Sequence, residues 1–369
     1  MAKLYFKSRY ICGTLESRVK MKVVVDEKIP FLKETLEAMG CSVCSLPGTD
    51  ISSSDVADAD ALFVRTRTRC DSSLLEGSRV RFVGTATIGY DHIDAAYCAA
   101  NGIVWSSAAG CNAGAVLQYV QSVLYLWTRE KGASLGGLSL GVVGVGEIGS
   151  RVAEWAAREG MTVYRNDPPR ERSEGADGFV SLDEVAAKCD VITFHPTLEC
   201  DGEFPSYHLA DKRFFASLRK CRLLINASRG PVVDNDALLD ALENGQVGDA
   251  VLDVWEKEPH INIALLNKVY IATPHIAGYS LEGKYNATRI VLEKFADFIG
   301  YAKPLPMPAL QPPVVAHVGS VDYASAALHI YSPDVDSVSL KAAPSAFEEL
   351  RNNYSFRREP KAFKISLEK

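Results

Sequence analysis

The sequence of 369 residues contains no apolar run long enough to cross a lipid bilayer, and it has no excess of positive charge. A transmembrane helix needs about 20 consecutive apolar residues. The formal net charge is −6, whereas proteins that bind nucleic acid or anionic membranes usually carry a basic excess. We therefore expect neither nucleic acid nor a membrane as partner. A small anionic molecule remains a possible ligand, because local arginines can outweigh the global charge.

The first twenty residues lack the features of a secretion signal. They are basic, but they contain neither a continuous apolar core nor a small-residue cleavage site. Met21 is followed at once by a strand-like segment. We expect residues 1–20 to be an extension outside the fold, and the protein to be cytoplasmic.

The cysteines do not form a recognisable metal or disulfide pattern. There are nine of them, an odd number, scattered through apolar segments, which favours a reducing compartment. Cys41 and Cys44 form a CxxC pair, but no second CxxC or nearby histidine pair would complete a zinc site. We expect structural cysteines and no metal.

Strand-like and helix-like segments alternate along most of the chain. The strand-like "KVVVDE" from Lys22 precedes the helix-like "FLKETLEAMG", and the alternation returns more clearly from "LSLGVVGVG" at Leu138. This pattern predicts parallel strands with helices on both faces. The predicted fold class is α/β, with two doubly wound parallel-sheet domains separated by the long amphipathic segment from Ala113. The proline-rich segment from Lys303 predicts a further, smaller unit.

A glycine-rich motif predicts a dinucleotide site. "GVVGVGEIG" places Gly144, Gly146 and Gly149 as G-x-G-x-x-G, after an apolar strand and before a helix. The first glycine permits a tight turn, the second a close approach of a pyrophosphate, and the third close packing of helix and strand. The helix N-terminus at Glu147 and Ile148 would supply N–H donors to the phosphates.

An acidic residue follows the next strand at the spacing of a ribose ligand. Asp167 lies about twenty residues beyond the glycines, as in dinucleotide-binding motifs. Its negative charge would repel a 2′-phosphate, so NAD is predicted rather than NADP. Arg165 and Arg170 flank it and leave NADP open.

Three polar groups lie at the ends of later predicted strands, where ligands bind in open α/β sheets. "NASRG" presents Arg229, "DVWEKEP" presents Glu258, and "TPHIAG" presents His275. Arginine can hold a carboxylate bidentately, histidine can accept a hydroxyl proton, and a glutamate can support the imidazolium. Each of them alone could be structural. Together, beyond a dinucleotide motif, they predict the oxidation of a 2-hydroxy acid.

The same segments resemble the signature motifs of the D-isomer-specific 2-hydroxyacid dehydrogenases, over Met21 to about Gly300. In that family the arginine binds substrate, the histidine is the acid/base and the glutamate is its partner, so the resemblance assigns these roles to Arg229, His275 and Glu258. "FVGTATIGYDHID", "HIAGYSLEGK" and the tail "FEELRNNYSFRRE" resemble one branch of the family. That branch oxidises 4-phospho-D-erythronate with NAD on the route to pyridoxal 5′-phosphate.

The resemblance also implies ligand contacts. Thr66, Thr87 and Tyr279 would touch the substrate, and Arg65 is a candidate for its phosphate. The further cofactor contacts it implies are Ala227, Ser228, Asp253 and Gly278, with His195 or Pro196 near the nicotinamide ribose. Arg67, Arg357 and Arg358 are further phosphate candidates, the last two by reaching a partner subunit.

The implied architecture has three parts. They are a flavodoxin-like substrate domain (21–115 and 277–300), a Rossmann NAD domain (116–276) and a C-terminal α+β dimerisation domain (301–369), which predicts a homodimer. Two alternatives stay open. One is another D-2-hydroxyacid dehydrogenase, such as one for 3-phosphoglycerate, and the other is a non-catalytic NAD(H)-sensing scaffold.

Overall fold

The structure, a computed structural model, describes residues 20–315 and 317–367. The predicted N-terminal extension lies outside these residues apart from Lys20. The described residues divide into two compact units: unit 1 is 20–107 with Val291–Pro308, and unit 2 is Ala108–Ile290 with 309–367.

Unit 1 is built on a parallel sheet with short helices. Its strands are β1 Lys22–Asp26, β2 Ser42–Leu46, β3 Ala61–Val64, β4 Phe82–Thr85 and β5 Val104–Ser107, and its helices are α1 Leu32–Ala38, α2 Ser53–Val56, α3 Ser72–Leu75 and α4 Ala95–Ala100. The strand order β2-β1-β3-β4-β5 is the flavodoxin-like order that the sequence predicted. The strands β3 and β4 are buried at every position, whereas the edge strands β2 and β5 are partly exposed. Phe63 and Phe82 pack on Phe295, each with a centroid distance of 5.3 Å.

Unit 2 contains the larger sheet. The six strands of this sheet are β6 Ser139–Val143, β7 Thr162–Asn166, β8 Val191–Phe194, β9 Leu223–Asn226, β10 Asp249–Leu252 and β11 Ile271–Ala272. The intervening helices are α5 Ala113–Lys131, α6 Glu147–Arg158, α7 Pro168–Glu174, α8 Leu182–Lys188, α9 Lys212–Ser217, α10 Asn235–Glu243 and α11 Ile263–Lys268, and α12 Leu281–Ile299 follows β11.

The order of this sheet positions a ligand site. The strands run β11-β10-β9-β8-β6-β7, all parallel. The chain leaves β6 for β7 at one edge and returns to β8 on the other side of β6. Such a switch point opens a crevice at the carboxyl ends of the strands, where ligands bind.

The C-terminal segment packs within unit 2. It contains β12 His317–Ser320, α13 Tyr323–Ile330, α14 Pro333–Ala342, α15 Phe347–Asn352 and β13 Lys364–Leu367, and β12 pairs in parallel with β13. Tyr331 joins the buried cluster around α5, and Leu340 and Phe347 join the cluster around β9 and β10. The amide of Ala272 in β11 donates to Ser337 Oγ at 3.0 Å. The role of this segment in dimerisation stays a prediction.

Two further expectations from the sequence bear on the fold. No helix among the described residues combines the length and apolarity that crossing a bilayer requires. The eight described cysteines are free, and Cys41 and Cys44 are among them.

Candidate active site

The glycine loop between β6 and α6 has the geometry of a phosphate cradle. Gly144 adopts φ +83°, and a Cβ there would lie 2.4 Å from the amide nitrogen of Pro196. At Gly149 a Cβ would lie 2.0 Å from the carbonyl oxygen of Gly144. At Gly146, by contrast, a Cβ would meet no atom within 4 Å. The first and third glycines are therefore required by the protein's own backbone, and the second leaves an open face for a ligand.

The helix behind this loop presents its N-terminus to the same crevice. Gly146 is the N-cap of α6, and no side chain caps this end of the helix. The first amides, at Glu147 and Ile148, thus belong to the N–H groups that a helix leaves without internal partners. Together with the helix dipole they suit a pyrophosphate.

Asp167 joins the glycine loop to the next helix. Its Oδ2 accepts from Val145 N at 2.7 Å, and its Oδ1 accepts from Arg170 N at 3.0 Å as the N-cap of α7. The guanidinium of Arg170 forms a bidentate pair with Glu174, both distances being 2.7 Å. This pair neutralises Arg170, one of the two arginines that flank Asp167, which supports NAD over its 2′-phosphorylated form.

His195 and Pro196 follow β8, directly across the switch point from Gly144. His195 Nε2 lies 2.9 Å from Thr193 Oγ1, whereas Nδ1 is buried and has no hydrogen-bond partner among the described residues. Burial lowers the pKa of His195 to about 3, so the ring is neutral at physiological pH. A buried polar atom without a partner is costly. This nitrogen and the glycine cradle both fit a bound dinucleotide.

The segment after β9 places Arg229. Ser228 donates through N and Oγ to Asn226 Oδ1 at 3.1 and 2.9 Å, and Ala227 is buried beside it. Arg229 is half-buried, and its Nη1 donates to the carbonyl of Ser228 at 2.8 Å. Next to it, a Cβ on Gly230 would lie 2.0 Å from Trp255 O. Glycine therefore lets the arginine-bearing loop pack directly on the loop after β10.

Glu258 and His275 form the central pair of the site. Glu258 Oε2 lies 2.8 Å from His275 Nδ1, and Glu258 Oε1 accepts from Trp255 N at 2.8 Å. Burial alone would raise the pKa of Glu258, but the hydrogen bond and charge of His275 and the Trp255 amide outweigh burial and lower it. The glutamate is thus held as a carboxylate. Since Nδ1 is engaged, Nε2 is the ring nitrogen that can meet a substrate.

Asp253 aims the histidine. Its Oδ1 accepts from Thr273 Oγ1 and Ile276 N, both at 2.7 Å, and its Oδ2 accepts from Ala277 N at 3.0 Å. Burial raises the pKa of this carboxyl. His275 itself adopts φ +60°, a left-handed conformation that is uncommon outside glycine and is held here by the surrounding hydrogen bonds. The contact predicted between Asp253 and the nicotinamide stays a prediction.

The residues after His275 meet two other parts of unit 2. A Cβ on Gly278 would lie 2.0 Å from Asn112 Nδ2, so a larger residue there would displace the side chain of Asn112. Tyr279 OH accepts from Arg351 Nε at 3.3 Å. Arg351 Nη1 also lies 3.9 Å from Glu258 Oε2. Reasoning from the sequence missed Arg351, because nothing in "FEELRNNY" marks it.

Arg357 is a second arginine of the C-terminal segment that reaches this loop. It is buried, and it donates to the carbonyls of Ile276, Ala277 and Ala115. The hypothesis that it reaches a partner's cleft is wrong, because its donors are used within its own chain. Arg358 pairs with Glu282 at 2.7 Å.

The predicted substrate contacts of unit 1 share one edge of its sheet. Thr66 is exposed in the turn after β3, and Thr87 follows the neighbouring strand β4. Thr87 Oγ1 lies 2.7 Å from Thr85 Oγ1 and donates to Gly89 O at 2.9 Å. Arg65 Nε pairs with the fully buried Asp26 at 3.0 Å, which indicates a structural role. Its contact with a substrate phosphate stays a prediction.

One cluster of possible metal ligands was not considered from the sequence. The ligand atoms of His208, Asp234 and Glu256 lie within 4.8 Å of one another. His208 Nε2 lies 2.8 Å from Glu256 Oε1, while Glu256 Oε2 accepts from Asn235 N at 2.9 Å. Asp234 caps α10. We interpret the cluster as a set of hydrogen bonds that holds these loops together.

The similarity of this chain to known proteins agrees with this geometry. The family model of the D-isomer specific 2-hydroxyacid dehydrogenase, NAD binding domain, matches residues 115–277. An erythronate-4-phosphate dehydrogenase from Bacteroides fragilis is 48% identical over 351 residues, which are 95% of this chain and 100% of that protein. Another protein of that name, from Escherichia coli, is 42% identical over 92% of each chain.

Solved structures show the same fold. A glyoxylate reductase from Paecilomyes thermophila has a TM-score of 0.64 at 23% identity, covering 79% of this chain and 98% of its own. A D-lactate dehydrogenase from Aquifex aeolicus, complexed with NAD and lactic acid, has a TM-score of 0.59 at 25% identity, covering 76% and 96%. The chain belongs to the D-isomer specific 2-hydroxyacid dehydrogenase family, in the group of the erythronate-4-phosphate dehydrogenases.

Proposed function

We propose that this protein oxidises C2 of 4-phospho-D-erythronate with NAD, giving 2-oxo-3-hydroxy-4-phosphobutanoate for pyridoxal 5′-phosphate synthesis. The observation that carries the proposal is the Glu258–His275 pair, held at 2.8 Å at the carboxyl edge of the sheet that also bears the glycine cradle. The similarity to erythronate-4-phosphate dehydrogenases supplies the substrate.

Three residues have separate roles in this oxidation. Arg229 holds the substrate carboxylate, because a planar guanidinium can donate two parallel hydrogen bonds. His275 Nε2 accepts the hydroxyl proton while the C2–H electron pair leaves as hydride and the C2–O bond becomes a carbonyl. NAD, when bound, supplies the hydride acceptor. Glu258 stabilises the positive charge that His275 gains.

The function is tested by following NADH absorbance with the purified protein. We expect turnover of 4-phospho-D-erythronate to exceed that of 3-phosphoglycerate. His275→Ala should lower kcat by about 10²- to 10⁴-fold, the usual contribution of a general base. His329→Ala is the control, because His329 is exposed on α13 and should leave kcat unchanged. Near-wild-type turnover in His275→Ala would reject the mechanism.

The proposal includes a homodimer in the cytoplasm. The described cysteines are free, which fits a reducing compartment. Exposed large apolar side chains concentrate in the C-terminal segment, and Val335 and Val338 of α14 are 66% and 69% exposed. Contiguous exposed apolar groups are typical of association surfaces, and a second copy of the chain is the occupant that the family resemblance implies.

A further inference from the structure

Arg351 lies beside the catalytic pair but is not part of it. One oxygen atom, Glu258 Oε2, contacts His275 Nδ1 at 2.8 Å and lies 3.9 Å from Arg351 Nη1. Tyr279 OH accepts from Arg351 Nε at 3.3 Å. Glu258 Oε2 therefore lies between the guanidinium of Arg351 and the imidazole of His275. Arg351 also contacts Tyr279, which is predicted to touch the substrate.

These two contacts engage only part of the hydrogen-bonding capacity of the Arg351 guanidinium. At 3.9 Å the approach to Glu258 is an ion pair without a hydrogen bond. An arginine has five N–H donors in a planar fork, which matches two oxygens of a phosphate or carboxylate. The side chain of Arg351 is 33% exposed, so it is both partly desolvated and accessible from solvent.

A second cation occupies the same neighbourhood. Lys284 Nζ lies 4.7 Å from the ring centroid of Tyr279 and 5.4 Å from that of Phe356. A phosphate placed beside Tyr279 would be repelled by Glu258. Arg351 provides positive charge beside Tyr279 that offsets this repulsion.

We propose that Arg351 is a specificity-determining residue that binds the terminal phosphate of the substrate, with Tyr279 as its hydroxyl partner. This inference rests on the proposed function. In 4-phospho-D-erythronate the phosphate is borne on C4, two carbons beyond the C2 that faces His275. Arg351 belongs to the same chain as the catalytic pair, so the phosphate site does not need a partner subunit's arginine.

The alternative is that Arg351 only positions Glu258. The two roles make different predictions, because a positioning residue affects every substrate equally, whereas a phosphate ligand affects only phosphorylated ones. The test compares Arg351→Gln, Arg351→Lys and Arg158→Gln in the full chain, with 4-phospho-D-erythronate and D-erythronate as substrates. Arg158 is the control, an exposed arginine near the end of α6 that pairs with Glu154.

We expect Arg351→Gln to raise KM and to lower kcat/KM for the phosphorylated substrate by about 10- to 100-fold, as for a lost charge-assisted hydrogen bond. Its kcat/KM for D-erythronate should stay within about twofold of wild type, because that ligand has no phosphate. Arg351→Lys should restore part of the loss, and Arg158→Gln should not discriminate between the substrates. Equal losses for both substrates in Arg351→Gln would overturn the inference.

A calorimetric titration with inorganic phosphate separates this inference from the proposed function. If the wild type does not turn over 4-phospho-D-erythronate, the proposed function fails, but phosphate binding can still be compared. Binding to wild type that is lost in Arg351→Gln would support the site. Binding that is equal in the two proteins, or absent from both, would contradict it.

Discussion

The imidazole of His275 is aimed by groups that do not themselves meet the substrate. Asp253 holds the two amides that follow His275, and Glu258 fixes its Nδ1. The left-handed backbone at His275, φ +60°, costs roughly 1–2 kcal/mol for a non-glycine residue. The hydrogen bonds around it offset this cost, so the geometry of the general base is set by its supports.

His195 predicts how stability changes with pH. Burial lowers its folded pKa to about 3 from the ordinary 6.5. As the pH falls below 6.5, His195 becomes protonated in the unfolded chain but stays neutral in the folded protein, so unfolding is favoured. Between pH 6.5 and 5 this group should cost up to about 2 kcal/mol of unfolding free energy. Urea unfolding of wild type and His195→Asn at pH 7 and pH 5 measures it.

In that comparison His195→Asn should lose less stability than wild type on acidification. The exposed His329→Asn is the control and should follow wild type. If His195→Asn and wild type lost the same free energy, the imidazole would not be a buried neutral group.

Site residues with a local sequence signal could be predicted, and those without one could not. The glycines, Arg229, Glu258 and His275 follow strands in recognisable spacings. Arg351 carries no such signal, and Arg357 was assigned the wrong contact, because their partners are distant in the chain: Arg351 is 72 residues from Tyr279, and Arg357 is 239 residues from Gln118. Only the folded chain brings them to the catalytic loop.

The segment of β6, its glycine turn and α6 offers two substitutions that can be compared for their effect on stability and cofactor binding. A Cβ on Gly149 would lie 2.0 Å from Gly144 O, whereas one on Gly146 would meet nothing within 4 Å. Gly149→Ala should therefore push α6 from β6 and lower the unfolding free energy by about 1–3 kcal/mol, as for overpacking. Gly146→Ala should cost less than about 1 kcal/mol and should weaken NADH binding.

Urea unfolding and NADH fluorescence titration check both variants. The prediction is contradicted if Gly149→Ala is as stable as Gly146→Ala, since the contact with Gly144 would then relax without cost. Unchanged NADH affinity in Gly146→Ala would show that a cofactor does not approach that open face.

Strands with an apolar run were predictable, whether central or at an edge. Apolar runs indicated β1, β3, β4 and β6 to β11, which include the edge strands β7 and β11, and these strands are confirmed, each within a few residues. The strands β2 ("SVCSL") and β5 ("VWSS") were missed because they lack a continuous apolar run. Among the helices, α5 was predicted from Ala113 and is observed there.

At the scale of the whole molecule, the C-terminal segment has two faces. One contributes Tyr331, Leu340 and Phe347 to the cores of unit 2. The other exposes Val335 and Val338, three residues apart on α14. The docking of the first face could not be read from the sequence, because each of its contacts joins residues far apart in the chain.

The exposed face predicts the assembly state. Val335→Glu with Val338→Glu places two charges on the apolar surface of α14, and burying unpaired charges in an interface is unfavourable. Light scattering should show wild type at twice the 40.2 kDa of the chain and the double variant at the chain mass. Val104→Glu, at an exposed valine of β5, is the control. A wild type of chain mass, or a double variant that stays dimeric, would contradict the proposal.

The bonds from Arg357 to the carbonyls of Ile276 and Ala277 also impose an order on synthesis. A ribosome releases the strands, the glycine turn and His275 before it adds Arg357, which is 80 residues beyond Ala277. At about 5–20 residues per second that interval lasts about 4–16 s. During it a nascent chain can form the dinucleotide cradle while the loop carrying its general base still lacks its last donors. In translation, the residues of the dinucleotide cradle are therefore available before the donors that complete the catalytic loop.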